Sequence, residues 1–317
     1  MSHIAGLLKT EYLYQPKYLL ARIKQELHFG NSDRSSGASD FDLPWGLTIT
    51  ADRQEEHGKI LATLGIIDLS VTEAIWRLLK PGNTFLDVGA NIGYMTSVAI
   101  ARLESFNGLS GRVIAFEPHP DIYRDLTANV DRWRSQPVKT EVTLERLALS
   151  NETGFATLEI PREFKSNRGL SHVVSASSNL NDLNIKYPSK QSAQKIPIQC
   201  RRLDDYWSAD NSIDLMKVDV EGHELAVFEG ASRCLSLRQI RHILFEDHEH
   251  YPNQVTNFLE SKGYTILAID RKLFSPKIVE PYHLNLVSWL PNSYLATCKP
   301  QDVFKSFERS RYQIFDR

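Results

Sequence analysis

Cysteine is scarce in this sequence, and long apolar runs are missing. The three cysteines, Cys200, Cys234 and Cys298, form no Cys-x-x-Cys pair, which argues against a zinc site and fits a reducing compartment. No apolar run approaches the roughly eighteen residues of a membrane span, and the N-terminus lacks the apolar core of a signal peptide. We therefore expect a cytoplasmic protein with no transmembrane segment and no bound metal.

A net charge of either sign is also nearly absent. The chain of 317 residues carries 37 Lys and Arg against 39 Asp and Glu, a formal net charge of −2. No basic field is therefore available to attract nucleic acid, and we expect no nucleic-acid partner. The hydrophobic content of 42% is ordinary for a globular protein. These bulk values leave a homo-oligomer open.

From Thr84 onward, strand-like and helix-like segments alternate, which predicts a parallel sheet with helices on both faces. The predicted strands are 84–88, 112–117, 141–148, 213–219, 241–247 and 263–269, with a last, antiparallel strand at 284–290. The predicted helices are 91–103, 120–133, 222–236 and 252–262. A hairpin at 155–160 and a long loop at 161–197 interrupt the alternation, and a loop of that length is typical of a functional segment.

Residues 1 to about 40 are predicted to be an appended segment. Apolar residues at helical spacing in 12–28 alternate with Lys17, Arg22 and Lys24. This pattern predicts a basic amphipathic helix that packs on its own protein, with a membrane surface or a partner as alternatives. A flexible loop is predicted at 29–40, a short strand at 43–50 and a largely helical stretch at 60–80.

A turn with two glycines, Gly89 and Gly93, follows the first strand of the predicted sheet. The motif begins at Asp87. Because glycine has no Cβ, the backbone N–H groups of this turn can approach a bound ligand closely. A dinucleotide-binding turn has the pattern G-x-G-x-x-G. Here Asn91 and Tyr94 occupy its second and third glycine positions. The turn therefore favours a nucleoside cofactor without phosphates.

An acid, Glu117, ends the next predicted strand in Arg-Val-Ile-Ala-Phe-Glu-Pro. A carboxylate at this point can accept hydrogen bonds from two ribose hydroxyls. We expect Glu117 to hold the ribose, while Asp87, Gly89 and Asn91 face the amino-acid half of the cofactor. The alternatives are a purely structural turn and an NAD-dependent oxidoreductase, which the missing glycines disfavour.

Two further polar runs end later strands at the same edge of the sheet. The first is Lys-Val-Asp-Val-Glu-Gly-His-Glu at 217–224, in which Lys217 is expected to pair with an acid. Glu221 and Glu224 either contact ligands or cap the next helix. The second run, Glu-Asp-His-Glu-His at 246–250, matches no closed zinc pattern. We therefore expect Glu246 or His248 to act as a general base or to contact substrate.

Several of these motifs together carry a family resemblance. The two that together make the match specific are FLDVGANIGYMT at 85–96 and KVDVEGHE at 217–224. They are accompanied by GRVIAFEPHP at 111–120, LALS at 147–150, RLDD at 202–205, GA at 230–231 and FEDH at 245–248. In combination they resemble the FkbM family of S-adenosylmethionine-dependent methyltransferases. The resemblance covers roughly residues 60–270.

The resemblance implies an α/β fold of the Rossmann-like class I methyltransferase type. Its sheet is expected to have seven mostly parallel strands with helices on both faces. We divide the chain into an N-terminal extension (1–59), a methyltransferase domain (60–295) and a C-terminal tail (296–317). The activity implied is methyl transfer to a hydroxyl of a sugar, polysaccharide or secondary metabolite.

The resemblance also implies roles for residues by position. Those expected to line the S-adenosylmethionine site are Asp87, Gly89, Asn91, Gly93, Glu117 and Asp219. The residues near 148–150, among them Ala148, Leu149 and Ser150, are expected to border the adenine. We add Tyr94 and Pro118, which lie within two of the quoted motifs. Asp219 is expected nearest the reacting methyl or the ammonium group.

A hydroxyl acceptor benefits from a base that takes its proton. The base candidates are His223 and His248, followed by Glu246 and Asp219. Substrate contacts are expected from Asn167 and Arg168 in the long loop, and from Glu221 and His248. An amine or amide acceptor, and an inactive cofactor-binding protein, stay open as alternatives.

Overall fold

The computed structural model describes residues 9–20, 37–105, 110–161, 172–174, 192–283 and 292–316. Its strands are β1 Ala38–Asp42, β2 Thr48–Asp52, β3 Thr84–Val88, β4 Arg112–Phe116, β5 Glu141–Glu145, β6 Ala148–Leu149, β7 Gly154–Pro161, β8 His172–Val174, β9 Ser192–Arg201, β10 Ile213–Val218, β11 Ile240–Asp247, β12 Thr265–Asp270, β13 Lys277–Val279 and β14 Asn292–Thr297. Its longer helices are α1 Thr10–Tyr14, α2 Glu56–Leu64, α3 Leu69–Leu78, α4 Tyr94–Glu104, α5 Pro120–Arg134, α6 Leu203–Tyr206, α7 Glu224–Gly230, α8 Ser232–Ser236, α9 Gln254–Ser261 and α10 Pro300–Ser306. Short 3₁₀ helices follow at Pro281–His283 and Gln313–Phe315.

The main sheet has the order β13-β12-β14-β11-β10-β3-β4-β5. The pairs from β11 to β5 are parallel, and β14 lies antiparallel between β11 and β12. The predicted α/β class with a large, mostly parallel sheet is confirmed. Among the described residues the sheet has eight strands rather than seven, because the three-residue strand β13 adds to the edge of β12.

The central strands are apolar throughout because both faces of the sheet are covered. All five residues of β3 are buried. Phe85 packs into a core with α3, α4 and α5, while Leu86 and Val88 pack into a second core with α7, α8 and α9. Successive side chains of a strand point to opposite faces, so one strand contributes to both cores.

The N-terminal hairpin and the C-terminal tail close over one face of the sheet. The indole N–H of Trp133 on α5 donates to the carbonyl of Thr48 at 2.7 Å. The carboxylate of Glu73 on α3 is buried and accepts the N–H groups of Gln313 and Ile314. It also forms a 2.6 Å ion pair with Arg77, and both side chains are fully buried.

Several predicted boundaries were wrong. Residues 38–40, predicted as loop, belong to β1, and the strand predicted at 43–50 begins only at Thr48. The stretch 60–80 divides into α2 and α3 at Gly65, which has a φ of 72° and ends α2. Likewise 141–148 divides into β5 and β6, and 222–236 into α7 and α8. The strand predicted at 284–290 lies outside the described residues. The described strands that run antiparallel to the rest of the main sheet are β13 and β14.

A second sheet, with the order β6-β9-β7-β8, follows the first half of the main sheet. The hairpin strand predicted at 155–160 is confirmed as part of β7, which pairs antiparallel with both β8 and β9. Most of the loop predicted at 161–197 lies outside the described residues, but its described parts at 172–174 and 192–197 belong to the strands β8 and β9, so the loop prediction was wrong there. Of the helix predicted at 12–28, residues 12–14 and 16–20 are helical, and 21–28 lie outside the described residues. No described helix has the length and apolar character that a bilayer span requires.

Candidate functional site

The glycine turn after β3 allows a close approach of two backbones. Gly89 has a φ of 76°, and a Cβ added to it would lie 2.0 Å from the carbonyl oxygen of Asp219. A side chain at this position is therefore excluded by both conformation and space. Asn91 and Gly93 also have positive φ angles, 50° and 93°. The turn thus carries the chain from the end of β3 into α4 within a few residues.

Asp87 lies at the end of β3 and is fully buried. Its Oδ2 accepts a 2.6 Å hydrogen bond from the hydroxyl of Thr96 on α4. Its Oδ1 accepts no hydrogen bond among the described residues and lies 3.7 Å from Nζ of Lys217. Burial raises the pKa of Asp87, while Lys217 and Thr96 act in the opposite direction.

Glu117 follows β4 and is bound by backbone groups on both sides. Its Oε2 accepts the N–H of Asn91 at 3.0 Å, and its Oε1 accepts the N–H of His119 at 2.9 Å. Burial raises the pKa of Glu117 to about 7, although both N–H groups favour the ionised form. Each carboxylate oxygen has a second lone pair, so Glu117 can still accept two further hydrogen bonds.

Lys217 connects the ends of β3 and β10. Its ammonium group donates to the carbonyl of Gly89 at 3.0 Å and lies 3.2 Å from the carboxylate of Asp219. Burial alone would lower the pKa of Lys217, but the carboxylates of Asp219 and Asp87 raise it above its ordinary value. The predicted pairing of Lys217 with an acid is therefore seen, and it holds the glycine turn against β10.

The turn after β10 is closed by Glu224. One oxygen of this carboxylate accepts the N–H groups of Val220 and Gly222, at 3.3 and 3.1 Å. Burial raises the pKa of Glu224 to about 7. Glu224 thus caps its own turn, the alternative that the sequence left open. Glu221 has a φ of 53° and is partly buried in the same turn.

His223 lies in contact with the strand-end segment of β6. Its Nε2 is 2.9 Å from the hydroxyl of Ser150, which directly follows Ala148 and Leu149, both buried. Burial lowers the pKa of His223 to about 4, so the ring is neutral near pH 7. The structure therefore brings a predicted base candidate to the predicted adenine border.

Glu246 ends β11 beside Asp219, because Val218 and Phe245 are in register across the parallel pair. The carboxyl group of Asp68, at the start of α3, is one of the neighbours that act on the charge of Glu246. Asp68 caps the N-terminus of α3 through Oδ1 and has a φ of 33°. Burial, then Asp219 and Asp68, raise the pKa of Glu246 well above its ordinary value.

The remaining predicted residues are less close to this group. His248 is exposed just beyond the end of β11. Tyr94 directs its side chain away into the core, where its hydroxyl accepts the N–H of Ile67 at 2.9 Å. Pro118 is partly buried next to Glu117. Asn167 and Arg168 lie outside the described residues.

Sequence reasoning missed two residues that the structure brings to this edge. Thr96 occurs in a quoted motif but had no assigned role, and Asp68 lies outside those motifs. An Asp before an apolar helical run signals a helix N-cap, so Asp68 was detectable as a cap. Its effect on the pKa of Glu246 was not detectable, because the two residues lie far apart in the sequence.

A nucleoside cofactor that carries an amino acid fits the residues present. Gly89 leaves room where a Cβ would collide, and Asp87 has a buried oxygen with spare acceptor capacity. Glu117 offers two free lone pairs at the next strand end. Among the described residues no group of three or more His, Cys, Asp or Glu side chains is arranged to hold a metal ion.

Comparisons with known proteins agree with this geometry. A family model described as "Methyltransferase FkbM domain" matches residues 87–266. The hexuronic acid methyltransferase AglP of Haloferax volcanii is 28% identical over 199 residues, which cover 61% of this chain and 70% of AglP. The methyltransferase sdnD of Sordaria araneosa is 28% identical over 219 residues, which cover 62% of this chain and 79% of sdnD.

Solved structures give a more distant match. The crystal structure of the methyltransferase FkbM from Methylobacillus flagellatus superposes with a TM-score of 0.44 at 16% identity. That match covers 73% of this chain and only 55% of the crystallised one. The family model, by contrast, spans more than half of the sequence and includes each strand end that forms the site. The chain therefore belongs to the FkbM methyltransferase family.

Proposed function

We propose that the protein uses S-adenosylmethionine to methylate a hydroxyl group on a sugar, a polysaccharide or a secondary metabolite. The observation that carries the proposal is Glu117, buried at the end of β4 with each oxygen fixed by one backbone N–H. Such a carboxylate presents its remaining lone pairs in a fixed direction, as the two hydroxyls of a ribose require. Asn91 provides one of these N–H groups, so the glycine turn and the ribose acceptor are positioned together.

The other strand ends supply the rest of the site. When bound, the cofactor contributes a methyl group that is already activated on a sulfonium centre. The protein must then hold the acceptor in line and exclude water. Asp87 and Asp219 place negative charge where the ammonium and sulfonium groups of the cofactor would lie, and Lys217 fixes both carboxylates. Ala148 and Leu149 would border the adenine.

The acceptor class rests on the relatives. AglP is named as a methyltransferase of hexuronic acid, a sugar rich in hydroxyl groups. A hydroxyl loses its proton only at high pH, so a base beside the reacting oxygen lowers the barrier. Glu246 and Asp219 lie together at the ends of β11 and β10, and His248 lies just beyond. His223, neutral near pH 7, is the further candidate.

Two measurements test the donor and the acceptor separately. Thermal shift should show stabilisation by S-adenosylhomocysteine and none by NAD; stabilisation by NAD alone would overturn the proposal. A labelled methyl donor should then mark a product when the enzyme is added to a cell extract, and mass analysis of that product identifies the acceptor. Glu117→Ala serves as the binding-deficient variant. Glu141→Gln, at an exposed position on β5, is the matched control.

A further inference from the structure

Two segments that are far apart in the sequence, residues 9–20 and 271–277, lie side by side in the folded chain. The hydroxyl of Tyr14 in the first segment donates to the backbone carbonyl of Phe274 in the second at 3.2 Å. We call the exposed side chains of these two segments the basic-apolar face. Its members are Lys9, Leu13, Pro16, Lys17, Leu20, Arg271, Leu273, Phe274 and Lys277.

The charge of this face is positive. The two segments together contain five cations and one acid, a net charge of +4 within a chain of net charge −2. The one acid, Glu11, is buried and forms an ion pair with Arg271. Lys272 pairs with the buried Asp270 at 2.6 Å. Three exposed lysines remain beyond those two pairs, namely Lys9, Lys17 and Lys277.

The C-terminal tail adjoins the face and leaves its charge unchanged. The hydroxyl of Ser275 donates to the backbone carbonyl of Arg309 at 3.4 Å. Residues 308–316 carry two acids and two arginines, so this part of the tail is neutral. The basic-apolar face therefore attracts anions locally, although the protein as a whole does not.

Large apolar side chains are concentrated on the same face. Among the described residues eight large hydrophobic side chains are exposed, and four of them belong to the face: Leu13, Leu20, Leu273 and Phe274. Each of the four is at least 45% exposed. Single exposed apolar residues are ordinary, but a cluster of them marks an interaction surface. The face thus combines apolar side chains with an excess of cations.

The face also borders the edge of the sheet that carries the candidate site. β11 and β12 are both antiparallel to β14, which lies between them, so the two strands run in the same direction. Residues 271–277 therefore leave β12 at the edge where β11, β10 and β3 end. Neighbouring strands are about 4.8 Å apart, which puts the end of β12 roughly 10 Å from the end of β11.

We propose that the basic-apolar face docks on an anionic membrane surface, with its lysines at the lipid headgroups and its Leu and Phe side chains among the adjoining acyl chains. Protein interfaces are depleted of lysine, the residue that supplies the three further cations here. Lysine beside Leu and Phe is instead typical of segments that lie in a membrane interface. The long lysine stem lets the ammonium group stay at the headgroups while neighbouring apolar groups enter the lipid.

Sedimentation with lipid vesicles tests the proposal on the full chain, and it needs neither the cofactor nor the acceptor. Wild-type protein should pellet with vesicles of phosphatidylcholine and phosphatidylserine at a ratio of about 3:1, and stay in solution with phosphatidylcholine alone. At an ionic strength of about 1 M the screening length falls to about 3 Å. Binding to the anionic vesicles should then weaken strongly.

Single substitutions separate the charge from the apolar contact. Lys277→Gln should weaken binding to anionic vesicles roughly fivefold, the effect of one cation near such a surface. Phe274→Ser should weaken it roughly tenfold, because less apolar area enters the lipid. This change keeps the backbone carbonyl that accepts the hydroxyl of Tyr14. The matched controls, Lys139→Gln before β5 and Phe155→Ser on β7, alter exposed residues outside the face and should bind like wild type.

The outcomes are distinct. Wild-type protein that stays in solution with anionic vesicles at low salt overturns the proposal, and so does equal binding by Phe274→Ser and Phe155→Ser. Equal binding to neutral and anionic vesicles overturns the role of the lysines. A dimer that Phe274→Ser disrupts, without any vesicle binding, would assign the face to a second copy of the chain and overturn the membrane.

Two further measurements on the same samples keep the test separate from folding and from the proposed function. Melting temperatures should match wild type, because the substituted side chains are exposed; Leu20→Ser is the second apolar variant should Phe274→Ser unfold. The affinity for S-adenosylhomocysteine should be unchanged in every variant. Failure of wild-type protein to bind this ligand would overturn the cofactor assignment and leave the vesicle result standing.

Discussion

Removal of the Glu117 carboxylate should weaken cofactor binding strongly and also loosen the turn around it. In the folded protein the carboxylate accepts the N–H groups of Asn91 and His119. Glu117→Ala leaves both donors without this partner, which should destabilise the fold by about 1–3 kcal/mol. Glu117→Gln keeps the shape, but its NH₂ group must face one of the two donors. Both variants should therefore unfold at a lower temperature than wild type.

The effect on affinity comes from the hydrogen bonds to the ribose. Hydrogen bonds to a charged group contribute about 1.5–3 kcal/mol, which corresponds to a roughly 10- to 150-fold weaker Kd for S-adenosylhomocysteine. Glu117→Gln should lie between wild type and Glu117→Ala, because one carbonyl oxygen remains. Calorimetry measures both values, and Glu141→Gln should bind like wild type.

The pH dependence gives a second, independent readout. Burial raises the pKa of Glu117 to about 7, and the ionised form accepts the two hydroxyl hydrogen bonds best. Affinity should therefore fall as the pH drops below about 7, by up to about tenfold per unit, and level off above it. The carboxyl group's contribution to stability has the opposite dependence. It is largest below the unfolded pKa, near 4.5, and is lost as the pH rises through about 7.

One result would refute this reasoning directly. If Glu117→Ala binds S-adenosylhomocysteine as tightly as wild type at neutral pH, Glu117 does not hold the ribose. If affinity in both glutamate variants follows the wild-type pH profile, the titrating group lies elsewhere. Near-ultraviolet circular dichroism on the same samples shows whether a weaker Kd merely reflects misfolding.

Three further perturbations test other parts of the structure. Gly89→Ala should abolish cofactor binding and lower the melting temperature. Gly154→Ala, at a positive φ but with nothing within 4 Å of the new Cβ, should add backbone strain without a steric clash, and so lower the melting temperature less. Equal effects would disprove the steric argument. Glu73→Gln should destabilise the fold by about 3–5 kcal/mol, because it breaks a fully buried ion pair. Proteolysis should then attack the C-terminal tail. An unchanged digestion pattern would contradict the role of Glu73 as the anchor of that tail. In the labelled-methyl assay His248→Ala should lower turnover without changing cofactor affinity, and an unaffected rate would exclude it as the base. Turnover should show no titration from His223 between about pH 5.5 and 8, since its pKa is lowered to about 4.

Local sequence was sufficient for the central half of the sheet. The strand predicted at 84–88 coincides with β3, and the strands predicted at 112–117 and 213–219 each end within one residue of β4 and β10. These segments are apolar on both faces and end at Gly, Pro or acidic residues, so the pattern that defines them is contained in a few neighbouring positions. The turn glycines and Glu117 could be identified for the same reason.

Edge elements were harder, because their pairing partners are distant in the sequence. β13 has three residues and is a strand only through its bonds to β12. β6 has two residues, and it leaves the main sheet to pair with β9, some fifty positions later. No periodicity can be read from so few residues. The N-terminal strand β1 likewise depends on its partner β2 rather than on its own polar sequence.

The sequence by itself determined which residue types stand at the strand ends, and hence the family and the kind of cofactor that suits them. Tertiary structure alone decided how those groups are charged. The pKa of Glu246 is raised well above its ordinary value because folding buries it and places Asp219 and Asp68 near it. The side chain of Tyr94 enters the core instead of the site. Protonation depends on burial and on neighbours within a few ångströms. Folding creates both conditions from residues far apart in the chain.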